Sequence, residues 1–157
     1  MRSLIYAVIC STLAGCGDIY RYVSSGEVGW ALKQAVRDRP GKEVTIAMLT
    51  KFDWDEFHLF GPYYPTGEIC KRLALSQADC ASTIKSESTS DGEMMMAFRY
   101  QGKVVHSEMH FRWNGDFTPV PQKALTPESA VFTVSPEGKG AGGAEWLKLR
   151  QKAAVRK

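Results

Sequence analysis

What the sequence lacks narrows its role. No stretch approaches the roughly 20 apolar residues that a helix needs to cross a bilayer core; the longest candidate, Leu4 to Leu13, falls well short. There is no Gly-x-Ser-x-Gly elbow, no phosphate-cradling glycine loop and no His-Glu-x-x-His helix, so no motif marks a hydrolase, a nucleotide binder or a zinc protease. Charge of one sign is not in excess either, with 20 basic and 17 acidic residues. Five of the basic residues (Lys148, Arg150, Lys152, Arg156 and Lys157) crowd the C-terminal end, so the rest of the chain is close to neutral. A near-neutral body lacks the electrostatic footprint of a nucleic-acid binder, and no nucleic-acid partner is expected.

What is present begins at the N-terminus. Arg2 gives a positive n-region, and Leu4 to Leu13 is an apolar h-region of signal-peptide length. Leu13-Ala14-Gly15-Cys16 follows. Small residues let a peptidase hold the extended backbone before the cut, and the Cys16 thiol can accept a diacylglyceryl group. This resembles the lipobox of bacterial lipoproteins. The resemblance implies cleavage after residue 15, acylation of Cys16 and lasting membrane attachment through several acyl chains, each buried CH₂ adding about 0.8 kcal/mol. Asp18 lies one place beyond the position where an aspartate retains many such proteins in the inner membrane. The implied location is therefore the outer membrane, facing the periplasm.

Cysteine usage agrees with export. Beyond Cys10 and Cys16, only Cys70 and Cys80 remain, an even pair suited to an oxidising compartment. Their spacing is not that of a CxxC pair and no histidine lies close in sequence, so a disulfide is expected rather than a metal or redox site.

The chain divides into a signal at 1–15, a tether at 16–26, one domain at 27–135, and a Gly-rich hinge with a basic tail at 136–157. Val28, Ala31, Leu32, Ala35 and Val36 recur at helical spacing after Ser24-Ser25-Gly26-Glu27, and Arg39-Pro40-Gly41 stops that helix. Val44 to Leu49 reads as a strand, with Trp54 to Phe60 as its neighbour. Thr66 caps a short helix through Ile69, Leu73 and Leu75, and Ser76 to Asp79 opens a further turn. Glu93 to Tyr100 and Val104 to Trp113 form a hairpin around Gln101-Gly102-Lys103, Asn114-Gly115-Asp116 is a tight turn, and Ala130 to Ser135 is a last strand. The expected class is α+β: an antiparallel sheet of about five strands, with an N-terminal helix and a short second helix on one face.

Several clusters invite chemistry. Trp54-Asp55 followed by Phe60-Gly61-Pro62-Tyr63 resembles a pattern in small, mostly uncharacterised bacterial secreted proteins and lipoproteins, a resemblance covering residues 44–75 that implies no settled activity. Its proline-fixed corner carries Tyr63 and Tyr64, which read either as a cover for the sheet end or as interface anchors. Asp53, Asp55 and Glu56 are too divergent along a strand for a calcium loop. His106 and His110 would share an ion on a helix, but on a strand they sit about 13 Å apart. There Val105, Met109, Phe111 and Trp113 form one face, and His106, Glu108, His110 and Arg112 form a polar face open to recognition. Of Met94-Met95-Met96, only the first and third can converge, and core filling is the natural use.

These readings describe a non-enzymatic, membrane-anchored periplasmic binding module without cofactor or metal, recognising a protein through Trp54, Tyr63, Tyr64, His106, Glu108, His110 and Arg112. An immunity lipoprotein against a periplasm-delivered toxin is one form of it, and an envelope-assembly factor another. The competing class is an envelope-polymer hydrolase using Asp55, Glu56 and His58.

Overall fold

The computed structural model describes residues 26–38, 41–140 and 142–152. The signal, the lipobox with Cys16, most of the tether, Arg39-Pro40 and the last five residues lie outside them.

Helix α1 (Glu27–Arg37) buries Val28, Leu32 and Val36 as its spacing requires. Glu27 in the first turn and Arg37 in the last complement the helix dipole. The chain then makes β1 (Glu43–Thr45), β2 (Glu56–Phe60), α2 (Thr66–Arg72), α3 (Gln77–Thr83), β3 (Glu93–Tyr100), β4 (Lys103–Phe111), β5 (Val131–Lys139) and β6 (Glu145–Gln151).

The α+β class holds, but the strands form two three-stranded antiparallel sheets rather than one sheet of five. One has the order β1-β5-β6 and the other β2-β3-β4. β1 and β2 are therefore not neighbours: Val44 opposes Phe132, while Phe57 opposes Phe98. The expected strand from Val44 to Leu49 ends at Thr45 and tightens into a 3₁₀ turn over Ile46–Met48. A continuous apolar run carries no strand-versus-helix period, and the turn lets Ile46 point inward while Met48 stands in solvent. That turn carries the chain from one sheet to the other, with Trp54 buried at the crossing and its indole N–H donating to Thr50 Oγ1 at 2.9 Å.

The C-terminal hairpin is the largest departure from the sequence reading. Residues 136–139 and 145–151, expected as hinge and tail, complete the β1-β5-β6 sheet, with Val134 opposite Leu149. Leu147 and Leu149 enter the core, and Lys148 and Arg150 both pair with Glu137. Alternating apolar residues at 147 and 149 within a basic segment are the half-buried edge-strand pattern.

Both faces of the β2-β3-β4 sheet are covered. Phe57, Leu59, Met94, Met96 and Phe98 meet α1 and the other sheet in the main core. Phe60, Met95 and Ala97 meet Ile69, Leu73 and Ile84 of the α2–α3 layer. The methionine run is thus a strand buried on both sides, its members divided between two cores as alternation requires. The expected disulfide is present: Cys70 and Cys80 are bonded with Cα atoms 5.5 Å apart, tying α2 to α3. Ser76 caps α3 by accepting from the Asp79 N–H at 3.1 Å. Thr66 does not cap α2. Pro65 holds the cap position, and the Thr66 hydroxyl and N–H both donate to Glu87 instead.

Candidate functional site at the outer edge of the fourth strand

β4 carries the residues that the sequence marks as polar and titratable, and its faces are reversed from expectation. Met94, Met96 and Phe98 point into the main core, and their cross-strand partners are His110, Glu108 and His106. Partners across an antiparallel pair share a face, so the polar face of β4 is turned inward. His110 is fully buried and Glu108 nearly so, whereas Val105, placed on the apolar face, is 45% exposed. Alternation locates two faces but not which one a helix will cover.

The cover is α1. Its cap position is Gly26, which has no side chain to offer its orphan donors. Glu108 supplies the acceptor from 80 residues away: the Val28 N–H donates to Oε2 at 3.1 Å and the Gly29 N–H to Oε1 at 2.6 Å. His106 Nε2 lies 2.7 Å from Glu108 Oε2, and its ring stacks on Phe52 with centroids 4.8 Å apart. Glycine is required at 26 because a β carbon there would collide with the Glu108 side chain, falling 2.6 Å from its Cβ. A buried carboxylate is thereby satisfied by a helix N-terminus, where main-chain dipoles favour negative charge.

His110 is fixed differently. Its Nε2–H donates to the Gly115 carbonyl at 2.7 Å, and its Nδ1 is buried without a partner. Burial lowers its pKa against the pull of Gly115 and of the Glu108 and Asp116 charges, so it is a neutral core histidine. Arg112 grips Asp116 through two bonds of 3.0 Å, and Asp116 also accepts from Thr118 at 2.6 Å and Trp146 at 3.0 Å. Burial pushes the Asp116 carboxyl up, but these donors outweigh it and hold it below the ordinary range. This network ties the turn after β4 to β6, where Asp116 N–H donates to Leu147 O at 2.9 Å.

β4 is also an edge strand among the described residues. A cleft of about 530 Å³ runs along that edge, lined by Gly26 on one side, Thr83, Lys85 and Ser86 on the other, and β4 residues 105–109 at its floor. Ser107 Oγ donates to the Thr83 carbonyl at 2.9 Å and holds the far wall. The Arg112 N–H donates to Gly92 O. By the two-residue period of a ladder, His106, Glu108 and His110 then bond to β3, and the main-chain groups of Ser107 and Met109 point out into the cleft; the register shifts between Phe98 and Arg99, so Val105 falls in a β-bulge outside that period.

The other expected residues are placed elsewhere. Trp54 is buried in the core and presents no open surface. Tyr63 is 58% exposed at the Gly61-Pro62 corner, with φ of 59°, a conformation uncommon for a residue with a side chain. Tyr64 packs on Phe60 with centroids 5.2 Å apart. The residues of the hydrolase reading do meet in part: His58 Nε2 lies 2.9 Å from Glu56 Oε2, which also accepts from Arg99 at 2.7 Å. Burial lowers the His58 pKa despite that carboxylate, and the bond from His58, with Arg99, lowers that of Glu56. His58 is nonetheless sealed in the sheet, with Nδ1 unpartnered, and Asp55 is occupied by the Gln101 N–H at 2.8 Å. Among the described residues, no cluster of three or more His, Cys, Asp or Glu side chains is placed to hold a metal, and no helix is long and apolar enough to cross a membrane.

The sequence reading missed Gly26, Lys85 and Thr83, which line the cleft, because nothing local connects them to β4. No protein-family model matches the chain, and no curated protein or solved structure matches it either.

Proposed function

We propose that this chain is a membrane-anchored periplasmic lipoprotein that binds a protein partner by accepting an extended segment along the outer edge of β4. The cleft described above carries this reading. Main-chain donors and acceptors facing an open groove are what strand addition uses for affinity, with flanking pockets giving specificity. Val105 and the Lys85 side of the groove would read the partner's side chains, while α1 and the 83–86 loop limit how a segment could enter. Neutralising a periplasm-delivered toxin, or assisting envelope assembly, is the biological form such binding would take. Support for the compartment comes from the Leu13-Ala14-Gly15-Cys16 lipobox and from the Cys70–Cys80 disulfide, since disulfides persist outside the reducing cytoplasm. The Glu56–His58 pair does not favour a hydrolase, because a histidine sealed in a sheet cannot reach a polymer.

The test is site-specific photocrosslinking in cells with the full chain. A photoreactive residue at Lys85 is expected to yield a protein adduct, one at exposed Lys123 none. Met109→Pro removes one outward N–H without touching the β3 ladder and is expected to abolish the adduct. An adduct unaffected by Met109→Pro, or equal at both positions, ends the strand-addition reading. Anchoring is tested separately: a Cys16→Ser chain that still resists extraction from membranes by high salt is not held by an acyl group.

A further inference from the structure

Three of the four tryptophans in the chain are partly exposed, and they share one region. Trp30 lies on α1 opposite its buried stripe of Val28, Leu32 and Val36. Lys33 and Arg37 follow on that outward face, since residues three and seven apart recur on one side of a helix. Lys33 Nζ stands 4.8 Å from the Trp30 ring centre. The Arg37 guanidinium lies 5.8 Å from the Trp113 ring centre and donates to the Trp113 carbonyl at 3.5 Å. Trp113 meets Trp146 edge to face at 6.2 Å, and Arg112 covers Trp146 at 5.7 Å. The backbone of Gly140 closes on this pair: a β carbon there would come within 2.7 Å of Trp113 and 3.1 Å of Trp146.

Arg112 on this surface is neutralised by Asp116, which leaves Lys33 and Arg37 as its cations outside any ion pair among the described residues. Lys148 and Arg150 are neutralised by Glu137, Lys152 by Glu43 and Lys51 by Glu27. None of the ion pairs among the described residues includes Lys33 or Arg37. The surface thus sets three partly exposed tryptophans beside Lys33 and Arg37, the composition that proteins place at lipid headgroup level.

We infer that the outward face of α1, with Trp113 and Trp146, is a membrane-contact surface that rests on anionic phospholipid. It does not depend on strand addition at β4 or on acylation of Cys16. If Cys16 is acylated, ten further residues lead to Gly26, spanning at most about 36 Å. That range keeps this face within reach of the bilayer and orients the domain on it.

The test uses the full chain with Cys16→Ser, so that no acyl group can contribute. It is mixed with vesicles of phosphatidylethanolamine and phosphatidylglycerol, or of phosphatidylcholine alone. Partition is read by sedimentation and by quenching of tryptophan fluorescence with brominated lipid. Partition into the phosphatidylglycerol vesicles, with quenching, is expected. A Lys33→Gln/Arg37→Gln variant with unchanged circular dichroism is expected to bind about thirty-fold more weakly, each cation near an anionic surface contributing roughly five-fold. No partition, equal partition into phosphatidylcholine, or binding unchanged in the double variant overturns the inference.

Discussion

The carboxylate of Glu108 is the only side chain serving the first turn of α1 among the hydrogen bonds described, and removing it tests how the helix is attached to the sheet. Glu108→Ala leaves the buried Val28 and Gly29 N–H groups without an acceptor and deprives His106 of its partner. A hydrogen bond to a charged acceptor contributes about 1.5–3 kcal/mol, and loss of a helix cap costs about 0.5–2 kcal/mol. The bonds share one carboxylate and do not add, so a destabilisation of about 3 kcal/mol is expected. Glu108→Gln keeps one acceptor oxygen but turns an amide NH₂ toward the second donor, and about half that loss is expected. Urea unfolding measures the shift in midpoint at constant slope, and hydrogen exchange locates it, with protection falling first at the Val28 and Gly29 amides. Gly26→Ala supplies a companion result. It should cost about 1–3 kcal/mol by overpacking, and less in a Glu108→Gly background, where both the carboxylate and the obstructing Cβ are gone. A Glu108→Ala chain within about 0.5 kcal/mol of the parent, or one whose lost stability leaves the Val28 and Gly29 amides as protected as before, would refute the attachment described.

Two further outcomes follow from other parts of the molecule. Replacing Cys70 and Cys80 together by alanine should lower stability by about 2.7 kcal/mol on the chain-entropy estimate for so short a loop; an unchanged urea midpoint would show that the bridge constrains neither state. Stability should also fall on mild acidification. Burial holds His110 and His58 below their ordinary value of 6.5, so the unfolded chain binds more protons than the folded one as pH drops below that value. The stability present above it is lost toward the depressed folded values, with a slope of up to about 1.4 kcal/mol per pH unit for each histidine. Glu56 and Asp116, held low, add a second loss only at more acid pH, below their ordinary 4.5 and 3.8. His110→Phe should flatten the first limb, and urea midpoints of parent and variant with equal slopes between about pH 7 and about pH 5 would contradict the neutral-core assignment.

Much of the architecture was readable from local pattern. The stripe of Val28, Leu32 and Val36 specified α1, the run from Glu93 to Phe111 around Gln101-Gly102 specified a hairpin, and the parity of Met94, Met95 and Met96 divided them correctly between two faces. The cysteine pair was legible because two thiols, an export-like N-terminus and no nearby ligand leave little else for them to do. Turn chemistry was less secure: Thr66 has the right residue type for a cap, yet Glu87 captures its hydroxyl.

Pairing and burial, by contrast, were decided only in three dimensions. Period two says that His106, Glu108 and His110 share a face, but a carboxylate is placed inward only if donors wait there, and those donors belong to a helix 80 residues earlier. The same holds for β1 and β2, adjacent in sequence and separated in space by a 3₁₀ turn. It holds too for β6, whose Leu147 and Leu149 are core residues only because β5 and the Asp116 turn offer them a sheet to join. Local sequence determines which side chains travel together, because backbone geometry is periodic. Which surface meets them is set by long-range burial and by the satisfaction of distant polar groups, and no window of neighbouring residues contains that information.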